Sequence, residues 1–186
     1  MRASDRRQQI LLAAQQLFVE RGFEQTTMGD IAARLGTSRP TIYTYFATTS
    51  AILEALFESG LERLWARLEP IVMAAQVTPA SSDEQSVISA AFDILIDEPG
   101  FLSVLHSGGA PDFQRRRRHL LNERIASLVE PYLRRNHGPY DVPMLVTLLE
   151  GMAYWAVAEH VSDVQSMKSS LTNLIRHGLT NPVRDA

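Results

Sequence analysis

The chain has 186 residues, of which 45% are hydrophobic and 21% charged, enough apolar material for a packed core. It contains no cysteine, which excludes a disulfide framework and a thiolate metal site. The net charge is −3, but residues 1–50 carry six Arg against four acids (+2), leaving 18 − 6 = 12 basic and 21 − 4 = 17 acidic residues (−5) for the remainder. No N-terminal apolar stretch marks a signal peptide, and no run of about 18 apolar residues marks a membrane span. A cytoplasmic location is expected, with no membrane partner.

The first helix is expected from about Ser4 to Arg21. Ile10, Ala14, Leu17, Phe18 and Arg21 form its inward stripe, and Gly22 ends it. Residues 26–46, TTMGDIAARLGTSRPTIYTYF, are the most informative stretch. Thr27 and Asp30 have the spacing of a capping box at the start of a second helix. Ile31, Ala32 and Leu35 share one face of that helix, and Gly36 supplies the left-handed residue that ends it. Ser38 caps a third helix, with Pro40 in its first turn. Ile42 and Phe46 point that helix inward, while Arg39, Thr41, Tyr43, Thr44 and Tyr45 face out. Two short helices around a Gly-containing turn form a helix-turn-helix, whose second helix enters the DNA major groove. A solvated helix face is usually charged. Hydroxyls and aromatics instead suit phosphates, sugars and thymine methyls.

The rest of the chain also reads as helices. The fourth runs from about Thr49 to Met73, with Ile52, Leu53, Leu56, Phe57, Leu61, Leu64 and Leu68 on its apolar face and Pro70 expected to kink or end it. A loop follows at 76–82. Ser82 and Gln85 suit a capping box for a fifth helix to about Asp97. A short sixth helix spans Phe101 to His106. The seventh runs from about Asp112 to Asn136 and carries Arg115 to Arg118. Four consecutive arginines circle a helix, so they read as a solvated face with at least one buried or paired member, or as an acidic-ligand or second DNA contact. The eighth helix, about Val142 to Val161, is apolar nearly all round and therefore buried on more than one side. The ninth runs from about Val164 to Leu179. Gly151, Tyr154 and Ala158 of the eighth helix, with Leu171, Leu174 and Ile175 of the ninth, form the expected homodimer interface.

A small-molecule pocket in the body would draw on Phe92, Leu95, Phe101, Leu105, His106, Phe113, Leu121, Met152 and Trp155, each of which also suits an ordinary core. Glu150 is costly if buried unpaired, so it reads as a salt-bridge partner for an Arg or as a ligand-recognition group. No two of the five His residues stand at i, i+4, and no Gly-rich phosphate loop or nucleophile elbow is present. Neither an enzyme, a cofactor nor a metal site is expected.

Residues 6–53 resemble the DNA-binding domain of the tetracycline-repressor (TetR) family. The resemblance runs through Ile10, Ala14, Leu17-Phe18, Gly22-Phe23, Thr26-Thr27, Ile31-Ala32, Gly36, Ser38, Thr41, Tyr43 and Tyr45-Phe46. It implies an all-α fold of about nine helices: a three-helix DNA-binding domain at 1–48, then a helical ligand-binding and dimerisation domain at 49–186. It further implies a homodimeric regulator of a pseudo-palindromic site on double-stranded DNA, expected to be a repressor released by a small-molecule effector. The alternatives are a regulator without an effector, or a helical ligand-binding protein or enzyme that has lost DNA binding. The expected DNA-contacting residues are Thr27, Arg39, Pro40, Thr41, Tyr43, Thr44, Tyr45 and Thr49. Arg2, Arg6 and Arg7 read as a solvated tail or as an arm along the DNA backbone. One departure stands out: where the family usually has Lys and then an acid, this chain has Thr49-Ser50. Loss of that Lys should flatten the salt dependence of binding by about one unit of slope.

Overall fold

A computed structural model describes residues 3–77, 83–109, 111–129 and 138–175. Among them the fold is all-α, with nine helices: α1 (Ala3–Arg21), α2 (Met28–Arg34), α3 (Arg39–Tyr43), α4 (Thr49–Val77), α5 (Asp83–Ile96), α6 (Pro99–His106), α7 (Pro111–Val129), α8 (Asp141–Ala158) and α9 (Val164–Ile175). Arg2, the expected box at Ser82/Gln85, the end of the seventh helix and Leu179 lie outside the described residues. No described helix is long and apolar enough to cross a membrane.

The chain divides into two compact units. The first comprises Met1–Glu62 and Gly100–Arg117, and the second Arg63–Pro99 and Arg118–Ala186. In the first unit α1 packs on α2, and α2 on α3. Ile10, Ala14, Leu17, Phe18, Ile31, Ile42, Phe46, Ile52 and Leu53 are buried there, the apolar burial that holds α1, α2, α3 and the start of α4 together. Arg21, expected in the inward stripe, is instead exposed and pairs with Asp30 at 3.1 Å. Its place one turn after Phe18 is near the helix end, where a long cation reaches water.

The first unit also takes in α6 and the start of α7, because aromatic packing ties them to α4. Phe57 stacks on Phe101 (ring centroids 6.3 Å apart) and meets the edge of Phe113 at 5.9 Å. Gly60 makes this possible: a Cβ there would stand 2.1 Å from the Phe101 ring. The Gly109 N–H, on a residue with φ +103°, donates to the Glu24 carboxylate at 3.0 Å.

Pro70 does not end α4; the helix continues to Val77. Pro70 is exposed, so the carbonyl its missing N–H would have bonded faces the solvent side. Leu68 and Val72, buried on the opposite side, hold the helix across it.

In the second unit α5 packs on both α8 and α9, and α8 on α9. Val87, Phe92, Leu95, Leu145, Leu149, Ala153, Met167, Leu171 and Ile175 fill that core. Polar links fasten its rim: Arg63–Glu98 at 3.2 Å, Arg67–Asp97 at 2.6 Å and Lys168–Asp93 at 2.6 Å.

Candidate nucleic-acid interface

The α2–α3 pair is built by its caps. The Asp30 N–H donates to the Thr27 hydroxyl at 3.3 Å, and the Thr27 N–H donates to the Asp30 carboxylate at 2.8 Å, which completes the capping box. The Thr27 hydroxyl also donates to that carboxylate at 2.5 Å. This bond, then the Thr27 N–H, with a smaller contribution from Arg21, holds the Asp30 carboxyl below its usual range. Gly36 has φ +59°, the left-handed residue that the α2–α3 turn requires. Arg34 grips Glu20 with two hydrogen bonds, at 3.0 and 2.5 Å, tying the end of α2 to the end of α1. The same contact lowers the Glu20 pKa and raises that of Arg34.

α3 is shorter than the expected reading helix and ends at Tyr43. The Thr44 hydroxyl donates to the Pro40 carbonyl at 3.1 Å, and the Tyr45 N–H reaches back to Ile42 at 2.9 Å, so the chain tightens out of the helix there. Ser38 is the N-cap residue, but its side chain makes no cap bond; its hydroxyl instead lies 2.9 Å from that of Thr41.

Ile42 is fully buried, whereas Tyr43 is 54% exposed. Arg39, Pro40 and Thr44 are exposed, and Thr41 and Tyr45 are half-buried. This leaves one outward surface of cation, hydroxyls and phenols. Thr27 is exposed at the head of α2, and Thr49 is half-buried as the first residue of α4. The Thr48 hydroxyl caps α4 by accepting from the Ala51 N–H at 3.0 Å, a role the sequence reading had not given it. Arg7, expected as part of a solvated tail or a DNA-backbone arm, also places its guanidinium 4.8 Å from the Phe46 ring centroid, a contact between α1 and the end of the motif.

The expected pocket residues distribute differently. Phe101, Leu105 and Phe113 are buried in the first unit, while Phe92, Leu95 and Leu121 are buried in the second. His106 is exposed, with Nδ1 3.0 Å from the Leu102 carbonyl oxygen. Glu150 and Met152 are half-buried, and Trp155 is 51% exposed. Of the arginine run, Arg116 reaches Glu58 at 2.6 Å and Glu54 at 3.4 Å, Arg115 pairs with Asp112, Arg117 is half-buried and Arg118 is exposed.

The expected interface residues also separate. Gly151 is half-buried with open space around its Cβ direction; Tyr154, Ala158 and Leu174 are exposed. Leu171 and Ile175 are buried in their own unit. They continue the Met167 row at four-residue spacing, which turns them inward and leaves Leu174 outside. Among the described residues no group of three or more His, Cys, Asp or Glu could hold a metal ion.

A capped, Gly-turned helix pair with an exposed hydroxyl and tyrosine face defines a helix-turn-helix protein with an α-helical body. Residues 10–56 match the family described as bacterial regulatory proteins, tetR family. Among curated proteins, it is 42% identical over 59 residues to the uncharacterized HTH-type transcriptional regulator YfiR of Bacillus subtilis, covering 31% of this chain and 29% of that one. It is 35% identical over 100 residues to the HTH-type transcriptional repressor BepR of Brucella suis, covering 52% and 46%. The matches to the first four curated relatives span from under a third to half of those proteins' lengths. Similarity of fold extends further. NalD, the secondary repressor of the MexAB-OprM multidrug efflux pump in Pseudomonas aeruginosa, superposes with TM-score 0.69 at 18% identity, over 99% of this chain and 98% of that one. The fatty acid degradation regulator FadR of Bacillus halodurans does so with TM-score 0.69 at 16% identity, over 99% of each chain.

Proposed function

We propose that this protein is a DNA-binding transcriptional regulator, not an enzyme, with residues 1–48 as its reading head and 49–186 as a ligand-binding and dimerisation body. The observation that carries the reading is the face of α3: Ile42 anchored in the core, with Arg39, Thr44 and Tyr43 open to solvent. The contacting set is Thr27, Arg39, Pro40, Thr41, Tyr43, Thr44, Tyr45 and Thr49. Thr49 touches a phosphate through its hydroxyl, without the charge a Lys would bring.

The protein acts as a homodimer on a pseudo-palindromic site, two recognition helices entering successive major grooves about 34–36 Å apart. Support comes from an apolar stripe on α8. Met144 (53% exposed), Leu148, Gly151, Trp155 and Ala158 follow one another at spacings of four and three, with Leu174 of α9 also exposed. Such spacing is that of a helix–helix seam.

The protein represses, and a small-molecule effector releases it. BepR and NalD are both described as repressors, which favours that sign. The effector acts only through its different affinity for the DNA-bound and DNA-free forms. A regulator with a filled core and no effector is the second reading, favoured by the full burial of Phe92, Phe101 and Leu105. Genomic footprinting with the purified protein tests DNA binding and yields the target. A mobility-shift titration with candidate effectors then separates the two readings: unchanged operator affinity on effector binding refutes release.

A further inference from the structure

We propose that Gly29 is a positioning residue for DNA binding, because it leaves a seat in the first turn of α2 for the guanidinium of Arg39 and thereby directs Arg39 to a backbone phosphate rather than a base edge. The inference rests on the DNA-binding reading above.

Gly29 is the second residue of α2, where Gly is a poorer helix former than Ala. It does not adopt a positive φ, so no backbone requirement explains it. Space does. A Cβ at Gly29 would stand 2.5 Å from Arg39 Nη2, 2.7 Å from Nε and 2.8 Å from Cζ. The first residue of α3 therefore lays its guanidinium flat across the head of α2.

Charge accounting points the same way. Arg21 is neutralised by Asp30, Arg34 by Glu20, and Arg7 lies over Phe46. No carboxylate among the described residues pairs with Arg39. Arg39 is thus an exposed cation resting against the first turn of α2, with its fork of donors free for an anion. In a helix-turn-helix the first helix of the pair crosses the DNA backbone while the second reads bases. Arg39 sits on α3 in sequence but carries its charge over α2, hence over the backbone.

Fluorescence anisotropy tests this with two duplexes, one enriched by the wild-type protein from a random pool and its scrambled counterpart, between about 50 and 200 mM salt. Gly29→Ala and Arg39→Ala should each weaken both duplexes about tenfold at low salt and reduce the salt slope by about one. The preference between the duplexes should stay the same, and the double variant should bind no worse than Arg39→Ala. The melting temperature of Gly29→Ala should match or exceed the wild type, since the atoms that must move end a flexible exposed side chain. Wild-type affinity in Gly29→Ala, or additive losses, overturns the seat. Arg39→Ala removes no buried group, so it tests the assignment even if Gly29→Ala folds poorly; a lost preference for the enriched duplex makes Arg39 a base reader. If the wild-type protein enriches no duplex, the DNA-binding reading itself fails, a result distinct from any of these.

Discussion

Trp155→Ala distinguishes an interface from an ordinary surface. Trp155 is 51% exposed in the isolated chain, on the stripe that includes Met144 and Leu148. A Trp side chain buries about 250 Å² when fully covered, so roughly 125 Å² remains for a partner to cover. At about 25 cal/mol per Å² that area is worth roughly 3 kcal/mol. A two-fold axis counts the residue twice, giving about 6 kcal/mol and a dimer weakened by roughly four powers of ten. The folded protomer should survive, because only about half of the ring is lost from its own core, a cost of roughly 1–2 kcal/mol. Sedimentation equilibrium over a dilution series reads the dissociation constant, and thermal melting of the dilute protein reads the fold. A variant that dimerises like the wild type refutes the α8 seam. So does a protomer that unfolds outright, which would make Trp155 a core residue.

Four further outcomes follow from particular contacts. Tyr43→Ala should reduce DNA affinity by about 1–3 kcal/mol while changing stability by less than about 0.5 kcal/mol, since Tyr43 is 54% exposed; anisotropy and melting curves measure the two effects. Thr49→Lys should steepen the salt dependence of DNA binding by about one unit, read from affinities across a salt series. Gly60→Ala should destabilise the protein by about 1–3 kcal/mol in urea unfolding, because the added methyl meets the buried Phe101 ring, which Phe57 stops from moving aside. The Asp30 carboxyl is held below its usual pKa by Thr27 and Arg21, so its stabilisation is present above about pH 4, its unfolded value, and is lost as pH falls through the lower folded value. Asp30→Asn should therefore melt below the wild type at pH 7, with the gap closing in acid.

Most of the reading head was legible because its determinants are local. The Thr27–Asp30 box, the left-handed Gly36, Pro40 in the first turn of α3 and the buried Ile42 all act within four residues of themselves. What sequence could not supply was tertiary. Arg39 reaches Gly29 across a turn, and the ends of α1 and α2 exchange charges through Glu20 and Arg34. Periodicity alone marked Leu171, Leu174 and Ile175 as one apolar group; only packing against α5 and α8 shows which of them turns outward. Pro70 does not end α4, the second of the two outcomes expected of it, because buried Leu68 and Val72 before and after it carry the helix through. The pocket residues were the least legible, since an apolar side chain that lines a cavity and one that fills a core share the same pattern.

The most direct test is selection from a random duplex pool followed by footprinting, with Tyr43→Ala beside the wild-type protein. The account predicts a protected pseudo-palindrome whose two half-sites are centred about 10 base pairs or a multiple apart, and weakened enrichment by the variant. Absence of any protected duplex at low salt, or equal enrichment by both proteins, would contradict it.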